Sequence, residues 1–285
     1  MPSSHPVSIQ RLDGETSNRL LDAVAVEEPL EIRLSLDTLM PGEHKPLSIT
    51  MRTPGNDDEL AVGFLFSEGI LTSPAQVHSV SHWGRSPPGK SERNVVVVEL
   101  APDVEIDLAR LERHFYTTSS CGVCGKTSID ALRQERPFAA AGSRGFSIAT
   151  ETLLSLPDAL REHQASFGVT GGLHATGLFD RQGKLSLVRE DVGRHNAMDK
   201  VVGRLFLDGK LPAADYGMIV SGRTSFELMQ KAMMSGVSTL VAIGAPSSLA
   251  IEMAEEFGMT LVGFLRDSRC NVYANERRIT WRPGA

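Results

Sequence analysis

Cysteine is scarce in this chain, with three in 285 residues. So few thiols exclude a disulfide-stapled secreted scaffold and suit a reducing compartment, so a cytoplasmic location is expected. A basic surplus is missing too. Lysine and arginine total 29 against 35 acids, a formal net charge of -6. That argues against nucleic acid as a partner but leaves room for a local basic site for phosphates. No run approaches the roughly 18 apolar residues that a membrane span needs. The opening MPSSHPVSIQRLDGE has no apolar stretch behind a basic head, so neither a membrane partner nor a secretory signal is expected. The G-x-G-x-x-G fingerprint is absent, which makes an NAD site a poor reading. What is present is an ordinary globular composition, 41% hydrophobic and 22% charged, long enough for one large domain or two ordinary ones.

Two of the three cysteines stand together in SSCGVCGKT, Ser119 to Thr127, where Val123 is the one apolar residue besides them. Glycines and small hydroxyls of this density do not build a core; they read as a mobile loop presenting the thiols of Cys121 and Cys124. The C-x-x-C spacing can close a disulfide, supply half of a zinc site, or act as nucleophile and resolver in sulfur or redox transfer. A zinc ribbon needs a second ligand pair, and Cys270 is isolated while His114, His174 and His195 form no paired histidine spacing, so no metal is expected. A thioredoxin-type pair opens a helix, and Gly122-Val123 followed by Gly125 is a poor helix start. Gly125-Lys126-Thr127 matches the tail of the phosphate-cradling G-x-x-x-x-G-K-[ST], but Ser120 stands where its leading glycine belongs. A surface loop with incidental cysteines is the bland alternative, weakened by the hazard of two exposed thiols. A sulfur carrier asks for a nucleophilic thiolate, which Lys126 would favour by charge, and for mobility.

Along the chain, Met1 to about Val26 reads as a polar, exposed lead-in. Alternation at Leu30, Ile32, Leu34 and Leu36, then at Leu47, Ile49 and Met51, predicts a hairpin. Asp57 or Asp58 is expected to cap a helix over Glu59 to Ile70 that packs in a core. Asn94 to Leu100 predicts a buried strand, Leu108 to His114 and Ser128 to Glu135 short helices, Thr150 to Glu162 a longer one, and Gln164 to Thr170 a strand. From Lys184 onward strands and helices alternate, with Thr224 and Glu227 forming a capping box. This predicts an α/β layered fold: a strand-rich N-terminal domain over 1–115, the cysteine loop over 116–128, and an α/β domain over 129–285.

In such sheets ligands gather beyond the carboxyl ends of the strands. Those exits carry Asp191, Arg194 and His195, then Ser221 and Arg223, then Ser247 and Ser248, then Arg266 and Arg269, while His174 sits between glycines in a turn. Arginines and hydroxyls at successive exits suit phosphates and a polar base. Taken singly, Arg194 and Arg223 could equally be structural ion pairs with Asp191 or Glu227, and His195 a cap or a core histidine.

The loop's CGVCG, with NDDELAVGFLFSEGI (Asn56 to Ile70), EDVGRHNAMDK (Glu190 to Lys200), SGRTSFELMQKA (Ser221 to Ala232) and LVGFLRDSRCNVY (Leu261 to Tyr273), resembles the FdhD family of formate dehydrogenase accessory sulfurtransferases. The resemblance runs in order from about Asn56 to Tyr273. It implies a cytidine-deaminase-like layered α/β core and a sulfurtransferase that takes sulfane sulfur from a cysteine desulfurase. Cys121 would be the persulfide carrier and Cys124 its partner, and the acceptor would be the molybdenum bis-guanine-dinucleotide cofactor that formate dehydrogenase needs. Leu265, Arg266, Asp267, Ser268, Arg269 and Cys270 would form the cofactor-contacting segment. The deaminase zinc signature itself, H-x-E with P-C-x-x-C, is absent. A homodimer is expected, since such carriers often pair. The alternative is a non-catalytic cofactor carrier whose cysteines sense redox state.

Overall fold

The computed structural model describes residues 3–35, 42–84, 93–102, 104 and 145–281. The cysteine loop, the 115/116 and 128/129 boundaries, and the helices expected over Leu108 to His114 and Ser128 to Glu135 lie outside the described residues. The described part is mixed α/β, as the sequence predicts.

The chain begins with an antiparallel hairpin, β1 (Ser4–Asp13) and β2 (Thr16–Ala25), in place of the expected lead-in. Both of its faces carry polar residues and most of its side chains are exposed, which hid the strand period from the sequence. The predicted hairpin follows as β3 (Glu28–Ser35) and β4 (His44–Arg52). Two more strands, β5 (Val77–His82) and β6 (Val95–Leu100), complete a four-stranded sheet in the order β4-β3-β6-β5. Helix α1 (Asp57–Ser67) lies on its inner face, where Leu30, Ile32, Leu34, Val96 and Val98 are buried with Leu60, Leu65 and Phe66. Asp57 and Asp58 fall inside α1; Asn56 precedes it in the left-handed region (φ 57) without a side-chain cap bond.

After two-residue β7 (Ile148–Ala149) come α2 (Thr150–Glu162) and α3 (Ala165–Thr170). The stretch predicted as a strand over 164–170 is thus a helical turn. Both oxygens of Glu190 accept from the Ser166 and Phe167 N–H groups at its start, and Gly171 (φ 65) closes it through a bond to Phe167 O.

The main sheet has the order β13-β12-β11-β10-β8-β9. Its strands are β8 (His174–Phe179), β9 (Leu185–Asp191), β10 (Gly217–Val220), β11 (Thr239–Ala242), β12 (Thr260–Arg266) and β13 (Arg269–Ala274). The central strands β10, β11 and β12 run parallel, linked through α5 (Phe226–Met234) and α6 (Ser248–Glu256), with antiparallel strands at both sides. Helix α4 (Arg194–Leu207) joins β9 to β10, and β14 (Ile279–Thr280) pairs with β7. Residues of the central strands alternate between two cores. Met218, Val220, Leu240, Ala242 and Leu261 join the core shared with α1, α4, α5 and α6, while Ile219, Val241 and Val262 meet Leu153, Leu156 and Leu160 of α2. Covering both faces is what a parallel sheet requires.

Candidate functional site

The carboxyl ends of β10, β11 and β12 are stitched side by side by backbone bonds: Gly244 N donates to Gly222 O at 3.0 Å and Phe264 N to Gly244 O at 3.0 Å. Thr224 N to Ala245 O (3.1 Å) and Ser247 N to Thr224 O (2.9 Å) continue the row outward. The close approach demands glycine, since a Cβ at Gly244 would stand 2.8 Å from Gly222 O and 2.9 Å from Arg223 N.

His174 and Arg194 converge over this row. A Cβ at Gly222 would lie 3.3 Å from His174 Nδ1 and 3.6 Å from Arg194 Cδ. His195, the next residue of α4, has its Nε2 3.3 Å from Ser225 Oγ and 3.8 Å from Glu227 Oε2. Burial drives the His195 pKa down to about 4, with Lys231 and Arg194 pushing the same way and Glu227 opposing. Burial and Arg194 also lower that of His174, against Asp191. Both imidazoles are therefore neutral near pH 7, able to accept a proton or hydrogen bond, and Arg194 supplies the positive charge.

Helices α4 and α5 start here without side-chain cap bonds, on Gly193 and Ser225. Their first N–H groups lack intrahelical partners, and the helix dipole adds partial positive charge. Arg194 Nε, Thr176 Oγ1 and Thr224 Oγ1 are buried with no hydrogen-bond partner. Buried donors of this kind are normally satisfied, so the cluster has the chemistry of an anion or phosphate site.

A buried polar web fixes the start of α4. Asp191, fully buried, accepts from Lys200 Nζ (2.7 Å), Gly193 N (2.8 Å), Asn196 Nδ2 (3.0 Å) and Thr53 N (3.2 Å). Lys200 also donates to Thr53 O at 2.9 Å. Below it, Lys231 forks onto both oxygens of Asp199 (2.8 and 2.9 Å). Burial raises the Asp199 pKa, with Lys231 and Ser67 pulling against it. Asp191 and Glu227 thus pair with Lys200 and His195, not with the arginines.

The other predicted site residues have separate placements. The Ser221 hydroxyl accepts from Ala175 N (2.9 Å), extending the β8–β10 ladder, and Arg223 is exposed. Ser247 caps α6 by accepting from Ala250 N (3.3 Å). The expected Thr224–Glu227 capping box does not form, because α5 starts one residue later, on Ser225, and Glu227 turns to His195. Leu265 is fully buried in the second core, so its side chain serves packing. Arg266, Asp267, Ser268 and Arg269 are exposed at the β12–β13 hairpin, where Asp267 (φ 52) and Ser268 (φ 55) make a left-handed two-residue turn. Cys270 packs against the second core, and burial raises its thiol pKa, making it a poor nucleophile. Cys121 and Cys124 lie outside the described residues. Ser225 and Lys231 escaped the sequence reading, and Glu227 entered it as a helix cap or an ion-pair partner of an arginine, although the i,i+4 spacing of Glu227 and Lys231 put both on one helical face.

Fold and site together define a mixed α/β protein with a neutral-histidine, arginine-bearing edge suited to anionic ligands. The FdhD/NarQ family matches residues 25–280. The chain is 50% identical over 274 residues to the sulfur carrier protein FdhD of Streptomyces avermitilis, covering 96% of this chain and 94% of that one. It is 48% identical to that of Mycobacterium tuberculosis (91% and 92% covered) and 43% identical to that of Saccharolobus solfataricus (90% and 91%). A crystal structure from Desulfotalea psychrophila, described as a formate dehydrogenase accessory protein, shares the fold with a TM-score of 0.71 and 22% identity, covering 98% of this chain and all of that one. The chain belongs to the FdhD/NarQ family. No helix among the described residues is long and apolar enough to cross a membrane.

Proposed function

We propose that this protein is a sulfurtransferase serving formate dehydrogenase. It carries sulfane sulfur from a cysteine desulfurase, on Cys121, to the molybdenum bis-guanine-dinucleotide cofactor as substrate. The carrying observation is the identity to sulfur carrier proteins over nearly the whole chain, with a C-x-x-C inside the matched span.

In the first step the Cys121 thiolate attacks the outer sulfur of the desulfurase persulfide. A new S–S bond forms, the old one breaks, and the desulfurase cysteine leaves as thiolate. In the second, Cys124 attacks Cys121 Sγ, closing a disulfide and expelling hydrosulfide to the acceptor; both thiols are oxidised, the sulfane sulfur is reduced, and a dithiol reductant resets the pair.

The His174–Arg194–His195 edge is the candidate binding place for the cofactor's phosphates. Two uncapped helix starts and the orphaned Arg194 Nε support that reading, and Arg223, Arg266 and Arg269 are exposed cations just past or beside the ends of β10 and β12. Neutral His174 and His195 would accept hydrogen bonds from the ligand without adding charge. Incubation with desulfurase and cysteine, followed by mass spectrometry, tests the sulfur step, and guanine-nucleotide titration of Arg194→Gln tests the binding step. Full maturation of formate dehydrogenase by Cys121→Ala would replace this reading with that of a non-catalytic cofactor carrier.

A further inference from the structure

Helices α4 and α5 face each other across two charged rungs. In the lower one Lys231 spends its ammonium group on both oxygens of Asp199, which also accepts from Ser67 Oγ at 3.1 Å. In the upper one, a turn earlier on each helix, Glu227 Oε2 stands 3.8 Å from His195 Nε2. Glu227 has no other ion pair or hydrogen bond among the described residues. Lys231 follows it at the i,i+4 spacing of a helical ion pair, yet binds Asp199 instead, so the Glu227 carboxylate acts on the imidazole.

Ser225 completes the arrangement. It stands just before α5, where a serine side chain ordinarily accepts from a helix N–H, but it makes no cap bond. Its Oγ lies instead 3.3 Å from His195 Nε2. A neutral imidazole carries a proton on one nitrogen and a lone pair on the other. A lone pair on Nε2 would face a carboxylate that can only accept, whereas an N–H there meets the Ser225 oxygen with a negative charge close by. The proton therefore belongs on Nε2. Nδ1 keeps the lone pair, with no hydrogen-bond partner among the described residues, on a side chain that leaves 35% of its surface open.

We propose that Ser225 and Glu227 are positioning residues that hold His195 as its Nε2–H tautomer, so that Nδ1 accepts a hydrogen bond from a donor group of the bound nucleotide. The proposal rests on the reading of this edge as a phosphate site. Arg194, with its unpartnered Nε, and the two helix starts offer donors and positive charge, which suit phosphate oxygens. A bare lone pair repels such oxygens and calls for an O–H or N–H. His195 thus reads the neutral part of a nucleoside diphosphate, a ribose hydroxyl or the exocyclic amine of the base, beside the phosphates that Arg194 holds.

The test has two arms, with circular dichroism to confirm folding of each variant. Two-bond 1H–15N NMR of the full chain near pH 7, without ligand, reads which ring nitrogen of His195 carries the proton. The wild type is expected to hold it on Nε2. Ser225→Ala, with the carboxylate in place, should keep that preference, and Ser225→Ala combined with Glu227→Ala should lose it. Calorimetry then compares guanosine diphosphate with its 2′-deoxy and 3′-deoxy analogues and with inosine diphosphate, which lacks the exocyclic amine. One analogue should bind the wild type about three- to tenfold more weakly than guanosine diphosphate, the scale of one neutral hydrogen bond, and equally to it on His195→Phe, which names the donor. A proton on Nδ1 in the wild type, an unchanged tautomer in the double variant, or analogues that all bind the wild type as guanosine diphosphate does would overturn the proposal. Guanosine diphosphate failing to bind a wild type whose proton is on Nε2 would overturn the phosphate site and the ligand half of the proposal, and leave the hold on His195 standing.

Discussion

Gly63 of α1 and Gly203 of α4 oppose each other across a helix crossing so close that neither tolerates a side chain. A Cβ at Gly63 would collide with the Asp199 carbonyl oxygen, and one at Gly203 with that of Glu59. The crossing joins the four-stranded sheet to the helix that presents Arg194 and His195. Gly203→Ala is expected to cost about 1–3 kcal/mol or more, because both clashes are with backbone. Chemical denaturation measures it, and an unchanged midpoint would show that the helices can separate cheaply.

The Asp191–Lys200 pair is the second anchor of α4. Removing one buried partner strands the other charge, so Lys200→Ala should destabilise the fold by about 3–5 kcal/mol. Asp191→Asn keeps the shape but loses the ion pair, and should move the His174 titration further down, since Asp191 is the group that raises it. NMR titration of the His174 ring would register that shift; no movement would mean that the carboxylate does not act on the histidine.

Acid should weaken the protein through the same edge. The folded His195 titrates at about 4 and the unfolded one near 6.5. Between those values the unfolded chain binds a proton that the folded chain refuses, so the stability is present above pH 6.5 and lost as pH falls toward 4. His174, shifted the same way, adds to the slope. Asp57 acts at still lower pH. Burial opposes its ionisation, but bonds from Arg52 and His82 outweigh that and hold its carboxyl below 3.8, so its contribution is lost as pH drops through the folded value. Melting curves from pH 7 to 4 should show the decline, flattened in His195→Gln. A variant with the full wild-type slope would contradict the assignment.

Much of this was legible in the sequence, and the remainder has identifiable physical causes. Thr150–Glu162 was readable because Leu153, Leu156 and Leu160 mark one buried face, and NVVVVEL because four adjacent valines favour a sheet. The 165–170 turn was not, since its fate is decided by Glu190, some twenty residues away. The acidic start of α1 looked like capping chemistry, yet Asp57 and Glu59 are buried and held by Arg52 and Arg189, partners that only the fold brings near. At the site, Arg194 and His195 stood out as a cation and an imidazole at a strand exit. Ser225 did not, and Thr224 was read as a helix cap, because a hydroxyl's role depends on whether a partner reaches it. Ser221 and Ser247 were singled out for a ligand, and backbone donors occupy both.

Ligand binding should depend on Arg194 more than on Arg223. Arg194→Gln is expected to weaken guanine-nucleotide affinity about tenfold or more, the scale of a lost charged hydrogen bond of about 1.5–3 kcal/mol. Calorimetry decides it, and equal affinities for Arg194→Gln and wild type would move the phosphate site elsewhere.

The most direct measurement is intact-mass analysis after incubation with a cysteine desulfurase and cysteine. The account predicts one added sulfur on the wild type, removed by a thiol reductant and absent from Cys121→Ala. An adduct of equal yield on Cys121→Ala, or none on the wild type under conditions where the desulfurase itself is persulfidated, would contradict it.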